Sequence, residues 1–204
     1  VYVPEELLAA YEENDYWTIY PLEAAASTPE IPEGVTIVDN VLTAIDSTVV
    51  DLVIPEGVTE IGMAAGIGGD MSDIKPNTTL KSVVIPATVT KINMAAFALC
   101  TALESITFAP GSNLNEIAEQ AINGTAITEI TIPASVKIIG NGAIAGNAAL
   151  AKITFEEGFN PTSVGWGQLD AHKIKCDIII EGDVWAEGIA KGNTFGDPSY
   201  ANAP

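Results

Sequence analysis

Arginine does not occur in this chain of 204 residues, and 8 lysines stand against 27 acidic residues, leaving a net charge of −19. Such a balance repels phosphate and offers no basic stripe to displace counterions, so nucleic acid is excluded as a partner and anionic membrane surfaces are disfavoured. Histidine occurs once, as His172. Asp170 could orient it, but nothing in the sequence places Cys100 or Cys176 beside it as a nucleophile, so His172 reads as an exposed loop residue and no catalytic residue is assigned. One histidine and two distant cysteines also lack the ligand spacings of a zinc site. The acidic stretches Asp70 to Asp73 and Glu12 to Asp15 offer oxygen ligands, yet neither follows a calcium-loop pattern. No cofactor and no metal are expected. No apolar run approaches the roughly 20 residues that cross a bilayer, and the start carries no signal peptide. That start fits a secreted chain whose signal has been removed as well as a cytosolic one.

What the chain does have is one phrase used again and again: an apolar strand-like triplet, a proline, a short polar stretch, isoleucine, then alanine four residues on. It runs Leu52-Val-Ile54-Pro55 to Ile61 and Ala65, and Val83-Val-Ile85-Pro86 to Ile92 and Ala96. It returns as Ile106-Thr-Phe108-Ala109-Pro110 to Ile117 and Ala121, and as Ile130-Thr-Ile132-Pro133 to Ile139 and Ala143. A large apolar residue precedes each strand, at Val49, Leu80, Leu103, Ile127 and Leu150. Pro110 to Pro133 is 23 residues, Pro86 to Pro110 is 24, and Pro55 to Pro86 is 31. The long interval carries an insertion of about 8 residues within Gly66 to Thr79, whose Gly and Lys75-Pro76-Asn77 chemistry is that of a loop. Upstream, Ile31-Pro32-Glu33-Gly34-Val35-Thr36 anticipates Ile54 to Thr59 at a spacing of 23, so the array is expected to begin near residue 31.

A unit this short cannot bury its apolar side alone, so neighbouring copies must stack, pairing strands in parallel and enclosing one continuous core. Alternation along each strand points Val83 and Ile85 inward and Ser82 and Val84 outward. Residues 54, 85, 108, 132 and 155 should then layer one over the next. The recurring alanines 65, 96, 121 and 143 mark a corner where only a methyl fits, followed by Phe97, Ile122 or Ile144 as filler. Gly66 breaks that series, and Ile67 or Met71 is the candidate to fill its space. Cys100 and Cys176 lie about three coils apart, roughly 14 Å at one strand spacing per coil, too far for a disulfide. Each reads as a small core hydrophobe.

The stretch Leu80-Lys-Ser-Val-Val-Ile-Pro-Ala-Thr-Val-Thr-Lys-Ile-Asn-Met-Ala-Ala-Phe-Ala-Leu-Cys-Thr-Ala-Leu103 resembles the repeat of the BspA-like bacterial surface leucine-rich repeat proteins, and the likeness extends over roughly residues 31 to 182. The resemblance implies a β-rich α/β leucine-rich-repeat solenoid, its parallel strands stacked as a right-handed coil, on a cell surface or secreted, used for attachment or display and without chemistry of its own. This chain departs from the pattern at the family's cysteine position, where only Cys100 keeps the residue and Thr125 and Asn147 replace it.

Three segments are expected: 1–27 as a strand and short amphipathic helix serving as N-terminal cap or remnant of a preceding repeat block, 28–182 as the repeat array, and 183–204 as C-terminal lid and tail. In the first, Val1-Tyr2-Val3-Pro4 reads as strand and helix start, and Glu23 to Pro29 as linker.

With strands in register, two outward rows cross the sheet, Asp51, Ser82, Ser105, Glu129, Lys152 and Val53, Val84, Thr107, Thr131, Thr154. The second row is uncharged and β-branched, which β-propensity alone also produces. Ser82, Val84, Ser105, Thr107, Glu129, Thr131, Lys152 and Thr154 are the candidate partner-binding face, and Asp70, Met71, Asp73 and Lys75 the candidate binding loop. Deleting 68–77 is expected to abolish binding and spare the melt. The function these readings favour is a non-catalytic surface scaffold for protein interaction or adhesion, binding a host or matrix protein. The alternative is a carbohydrate-binding or substrate-presenting module of a larger secreted enzyme. No aromatic residue stands in either row for a sugar to stack on, and Trp166 and Trp185 lie off the regular strands.

Overall fold

The computed structural model describes residues 2–4, 23–25, 30–67, 76–165, 167 and 177–180. The chain divides into two compact units, Val1–Glu30 and Ile31–Pro204. In the first, β1 (Tyr2–Pro4) pairs in parallel with β2 (Glu23–Ala25), Tyr2 opposite Glu23. Residues 23–25 are therefore strand, where the small polar composition reads as linker, and Pro4 ends a strand. The expected helix falls on residues outside those described.

The second unit is a parallel β-solenoid. It opens with β3 (Val35–Val38) and β4 (Val41–Ile45), an antiparallel hairpin. Its two-residue turn, Asp39 at φ 49° and Asn40 at φ 63°, has the mirror-image turn geometry that suits the twist of a hairpin and that Asp and Asn tolerate. The copy read at Ile31 to Thr36 is thus no coil. Its proline turn is kept, with Val35 N–H bonded to Pro32 O at 3.1 Å, as Val58, Val89 and Val136 N–H bond Pro55, Pro86 and Pro133 O. The strand that follows doubles back, so that β4 supplies the first rung and β3 covers its outer side.

From there the chain winds. Strands β5 (Asp51–Val53), β7 (Ser82–Ile85), β9 (Ser105–Phe108), β11 (Glu129–Ile132), β13 (Lys152–Phe155) and β15 (Asp177–Ile180) line one face. Pro86 and Pro133 end their strands by removing a donor, whereas after β9 Ala109 N–H still donates to Ile85 O before Pro110. After the turn come the two-residue strands β6 (Glu60–Ile61), β8 (Lys91–Ile92), β10 (Glu116–Ile117), β12 (Ile138–Ile139) and β14 (Ser163–Val164). These stack with β4 and β3 into one seven-stranded sheet. The isoleucine of each repeat is the buried residue of that second sheet, with Ile61, Ile92 and Ile117 wholly enclosed.

The first face is not continuous. It consists of the sheets β5-β7-β9 and β11-β13-β15, with no ladder between β9 and β11. Chain length explains the break. From the corner alanine to the next strand's leading apolar residue takes one residue fewer here, Ala121 to Ile127, than at Ala96 to Leu103 or Ala143 to Leu150. Ala126 N–H still reaches Leu103 O at 2.9 Å, but no ladder forms between the strands beyond it. The layered row keeps its register on either side, Ile85 opposite Phe108 and Ile132 opposite Phe155. At the break Phe108 stands half-buried, whereas Ile85 and Phe155 are fully buried.

The corners repeat. Ala65, Ala96, Ala121 and Ala143 are completely buried, and Phe97, Ile122 and Ile144 fill the core behind three of them. At Gly66 a Cβ would lie 2.6 Å from Cys100 Sγ and 3.0 Å from Ala96 O. The sulfur of the next coil takes up the room a filler would use, so glycine is required there. Each corner is entered through a left-handed residue, Ala64, Ala95, Gln120 or Gly142, at φ between 53° and 59°.

Candidate interaction face

The outward rows lie in register within each three-stranded sheet. Asp51 pairs with Ser82 and Ser82 with Ser105, and Val53 pairs with Val84 and Val84 with Thr107. Beyond the break Glu129 pairs with Lys152 and Lys152 with Asp177, and Thr131 pairs with Thr154 and Thr154 with Ile179. Val53, Val84, Ser105, Thr107, Glu129 and Thr131 are exposed, and Ser82 and Lys152 are half-buried. Thr154 is buried at 8% exposure, between Thr131 and the larger Ile179 in the register. It offers a partner almost no surface. Ser82 donates its hydroxyl to the Asp51 carboxylate. Lys152 Nζ lies 4.0 Å from Glu129 Oε2 with both side chains wet, a pair contributing well under 1 kcal/mol at such exposure. The face is a weakly charged, largely β-branched platform interrupted by one seam.

Of the candidate loop, Asp70, Met71, Asp73 and Lys75 lie outside the described residues, as do the side chain of Ile67 and residues Trp166, His172, Cys176 and Trp185. Asn77, at the end of that insertion, is a correction to the expected deletion. It is 3% exposed, its amide donates to Asp46 O at 3.0 Å, and its carbonyl oxygen accepts from the backbone of Thr79 and Leu80 at 2.9 and 2.8 Å. Removing 68–77 would strip a core fastening along with the loop.

Two features were missed in the sequence. The second sheet has its own outward row, Glu60, Lys91, Glu116, Ile138 and Ser163, and Lys91 bridges Glu116 at 3.2 Å. The signal was present in the residue before each repeat isoleucine. Beside it Thr59, Thr90 and Thr162 hydroxyls each donate to a carbonyl of the preceding rung, at 3.1 to 3.3 Å. The other is the buried polar spine at the degenerate cysteine position. Asn147 Oδ1 accepts from Thr125 N–H at 2.7 Å and Thr125 Oγ1 at 2.9 Å, while Asn147 Nδ2 donates to Ile122 O and Ile144 O at 2.9 and 2.7 Å. Asparagine and threonine there replace a thiol by a hydrogen-bonded pair.

Cys100 is fully buried, and burial pushes its thiol up from 9.0 to about 12 against the opposing backbone hydrogen bond from Asn77. At neutral pH it is an inert hydrophobe. Among the described residues no group of three or more His, Cys, Asp or Glu is placed to hold a metal ion, and no helix is long and apolar enough to cross a membrane.

A family model described as BspA type leucine rich repeat region matches residues 75–175 in six copies. The chain matches no curated protein. Among solved structures, the pneumococcal vaccine antigen PcpA is 21% identical with a TM-score of 0.47, over 66% of this chain and 40% of its own, so the chain spans less than half of that antigen. A leucine-rich repeat protein from Bacteroides capillosus is 26% identical with a TM-score of 0.46, over 64% of this chain and 99% of that one. The T. pallidum leucine rich repeat protein is 20% identical with a TM-score of 0.45, over 83% and 98%.

Proposed function

Because the chain belongs, through residues 75–175, to the BspA-type leucine rich repeat proteins, we infer that it is a non-catalytic scaffold that binds another protein through the first sheet's outward face. The observation that carries this reading is the row Val53, Val84, Thr107 and Thr131, exposed side chains set by backbone ladders on each side of the seam. Such a row costs little to desolvate and needs no ordering when a partner lands on it, which favours broad protein contact over small-molecule capture. With a net charge of −19, a neutral or basic partner surface is the one that approaches freely. We assign it to a cell surface or a secreted setting, where attachment to a host or matrix protein is its use.

The test is a binding survey of the immobilised chain against purified extracellular-matrix and host-surface proteins. A Thr107→Arg, Thr131→Arg double variant should lose saturable binding while its thermal melt stays where it was, since both positions face solvent. Undiminished binding by that variant would sink the assignment of this face, and no saturable binding to any protein of the panel would sink adhesion.

A further inference from the structure

The acidity of this chain is unevenly placed. Its first lysine is Lys75, so residues 30–67, which form the hairpin and the first coil, carry seven acidic residues and no base. Residues 76–165 carry six acidic residues and four lysines. The ion pairs among the described residues follow the same division, since Lys91 with Glu116 and Lys152 with Glu129 both lie in later coils.

The first coil is also where apolar surface is left wet. Val53 is the most exposed large apolar side chain among the described residues, at 65%, and Val50, at 42%, stands on the other side of Asp51. Val84, paired with Val53 in the next strand, is 36% exposed, and beyond it the row turns to threonine. Acids border this valine patch. Asp51 and Glu56 are exposed, and so are Asp46 and Glu33. A Cβ on Gly34 would lie 2.8 Å from Val49 Cγ2 and 3.3 Å from Asp46 Cβ, which puts the segment holding Glu33 against the turn that leads into β5. Lys81, whose N–H donates to Val50 O at 2.6 Å, forms no ion pair among the described residues.

We propose that the patch of Val50, Val53 and Val84 anchors a cationic polypeptide segment, one in which lysine or arginine is interleaved with aliphatic residues. The proposal rests on the reading of the first sheet's outward face as the binding face, and adds to it a partner chemistry and a direction. The apolar side chains cover the valines, and the cations meet Asp51 and Glu56 while their own stems add apolar contact. The rest of the partner then runs toward Thr107 and Thr131. A second copy of this chain fits the patch poorly, because a two-fold contact there would set the same carboxylates against each other.

Calorimetric titration of the full chain tests this with two synthetic peptides of equal length and equal positive charge, one interleaving lysine with valine and the other lysine with glycine. The valine peptide should bind about tenfold or more tighter than the glycine peptide, and more weakly as salt is raised. An Asp51→Asn, Glu56→Gln chain should lose about fivefold or more in affinity for it. A Glu119→Gln, Glu157→Gln chain, changed by the same charge in later coils, should lose less than about twofold. Val53→Thr, which keeps the branch at Cβ, should remove most of the valine peptide's advantage. All five positions are exposed, and asparagine at 51 still accepts from the Ser82 hydroxyl, so the fold is not at stake. Equal losses in the two charge variants would reduce the effect to net charge and overturn the proposal. Equal binding of the two peptides, or binding of neither, would overturn it as well. Those failures would leave the protein-binding reading standing, because its own test reads Thr107 and Thr131 with intact proteins.

Discussion

At the scale of single residues, the chain solves one problem two ways. The position after each corner sits in the core, where it can be filled by an apolar atom or by a polar one whose bonds are complete. Cys100 takes the first route. Asn147, with no exposed surface, takes the second, and both atoms of its amide are engaged. Truncation to alanine would leave the carbonyl of Ile122 and the N–H of Thr125 without these partners in a dry interior, and would take one bond from the carbonyl of Ile144. At 1–3 kcal/mol for an orphaned group, Asn147→Ala should cost roughly 3–5 kcal/mol, read as a lower urea midpoint with an unchanged slope. Asn113→Ala, which removes one exposed bond to Ala87 O at 2.9 Å, should cost less than about 1 kcal/mol. If the two variants lose stability equally, the buried spine is not what holds these coils. None of this could be read beforehand, because substitution of cysteine by Thr125 and Asn147 looks like decay of a repeat until the hydrogen bonds are seen.

At the scale of elements, the strands of the first face were legible because burial in β5, β7 and β11 follows a period of two, as with Val83 and Ile85 in, Ser82 and Val84 nearer to solvent. The second sheet was not, since a strand of two residues such as Lys91–Ile92 shows no period at all and appears only as a spaced isoleucine. The N-terminal hairpin escaped for a different reason. Ile31 to Thr36 copies the repeat so closely that pattern alone continues the coil, and the cue that the chain instead reverses lies in Asp39-Asn40, two residues that accept a left-handed backbone. That turn sets the register of β3 on β4, and β4 in turn seats Leu42 against Ile61. Asn40→Val puts a β-branched residue at φ 63° and should cost about 1–2 kcal/mol, lowering the melt by about 2–4 °C for each kcal/mol. Asn40→Gly, which accepts the same angle without strain, should change the melt by no more than about 1 °C. A valine variant as stable as the parent would mean the hairpin is not held by its turn.

At the scale of the whole array, stability is a sum of coil energies and of contacts between neighbours, so a solenoid is as cohesive as its weakest interface. The seam between β9 and β11 is the candidate. At the start of β9 the amide of Ser105 donates to Lys81 O and just past its end that of Ala109 donates to Ile85 O, and immediately before and after β13 Ala151 and Glu156 donate to Thr128 O and Ile132 O. Glu129 and Thr131 occupy the corresponding places on β11, yet no ladder joins that strand to β9, and their exposed side chains leave the backbone open to water. On the opposite face β10 still pairs with β8 and β12, so the two blocks stay joined there. Native-state hydrogen exchange should therefore find the Glu129 and Thr131 amides opening at least about tenfold faster than those of Ser105 and Lys152, a local difference of about 1.4 kcal/mol, while Ile117 and Ile139 remain protected. Uniform protection across all six strands of the first face would show that the shortened corner at Ala121 to Ile127 is absorbed without loss, and that the array unfolds as a single block. Selective opening would place a point of bending in the middle of the binding face, where a partner that bridges Thr107 and Thr131 would close it.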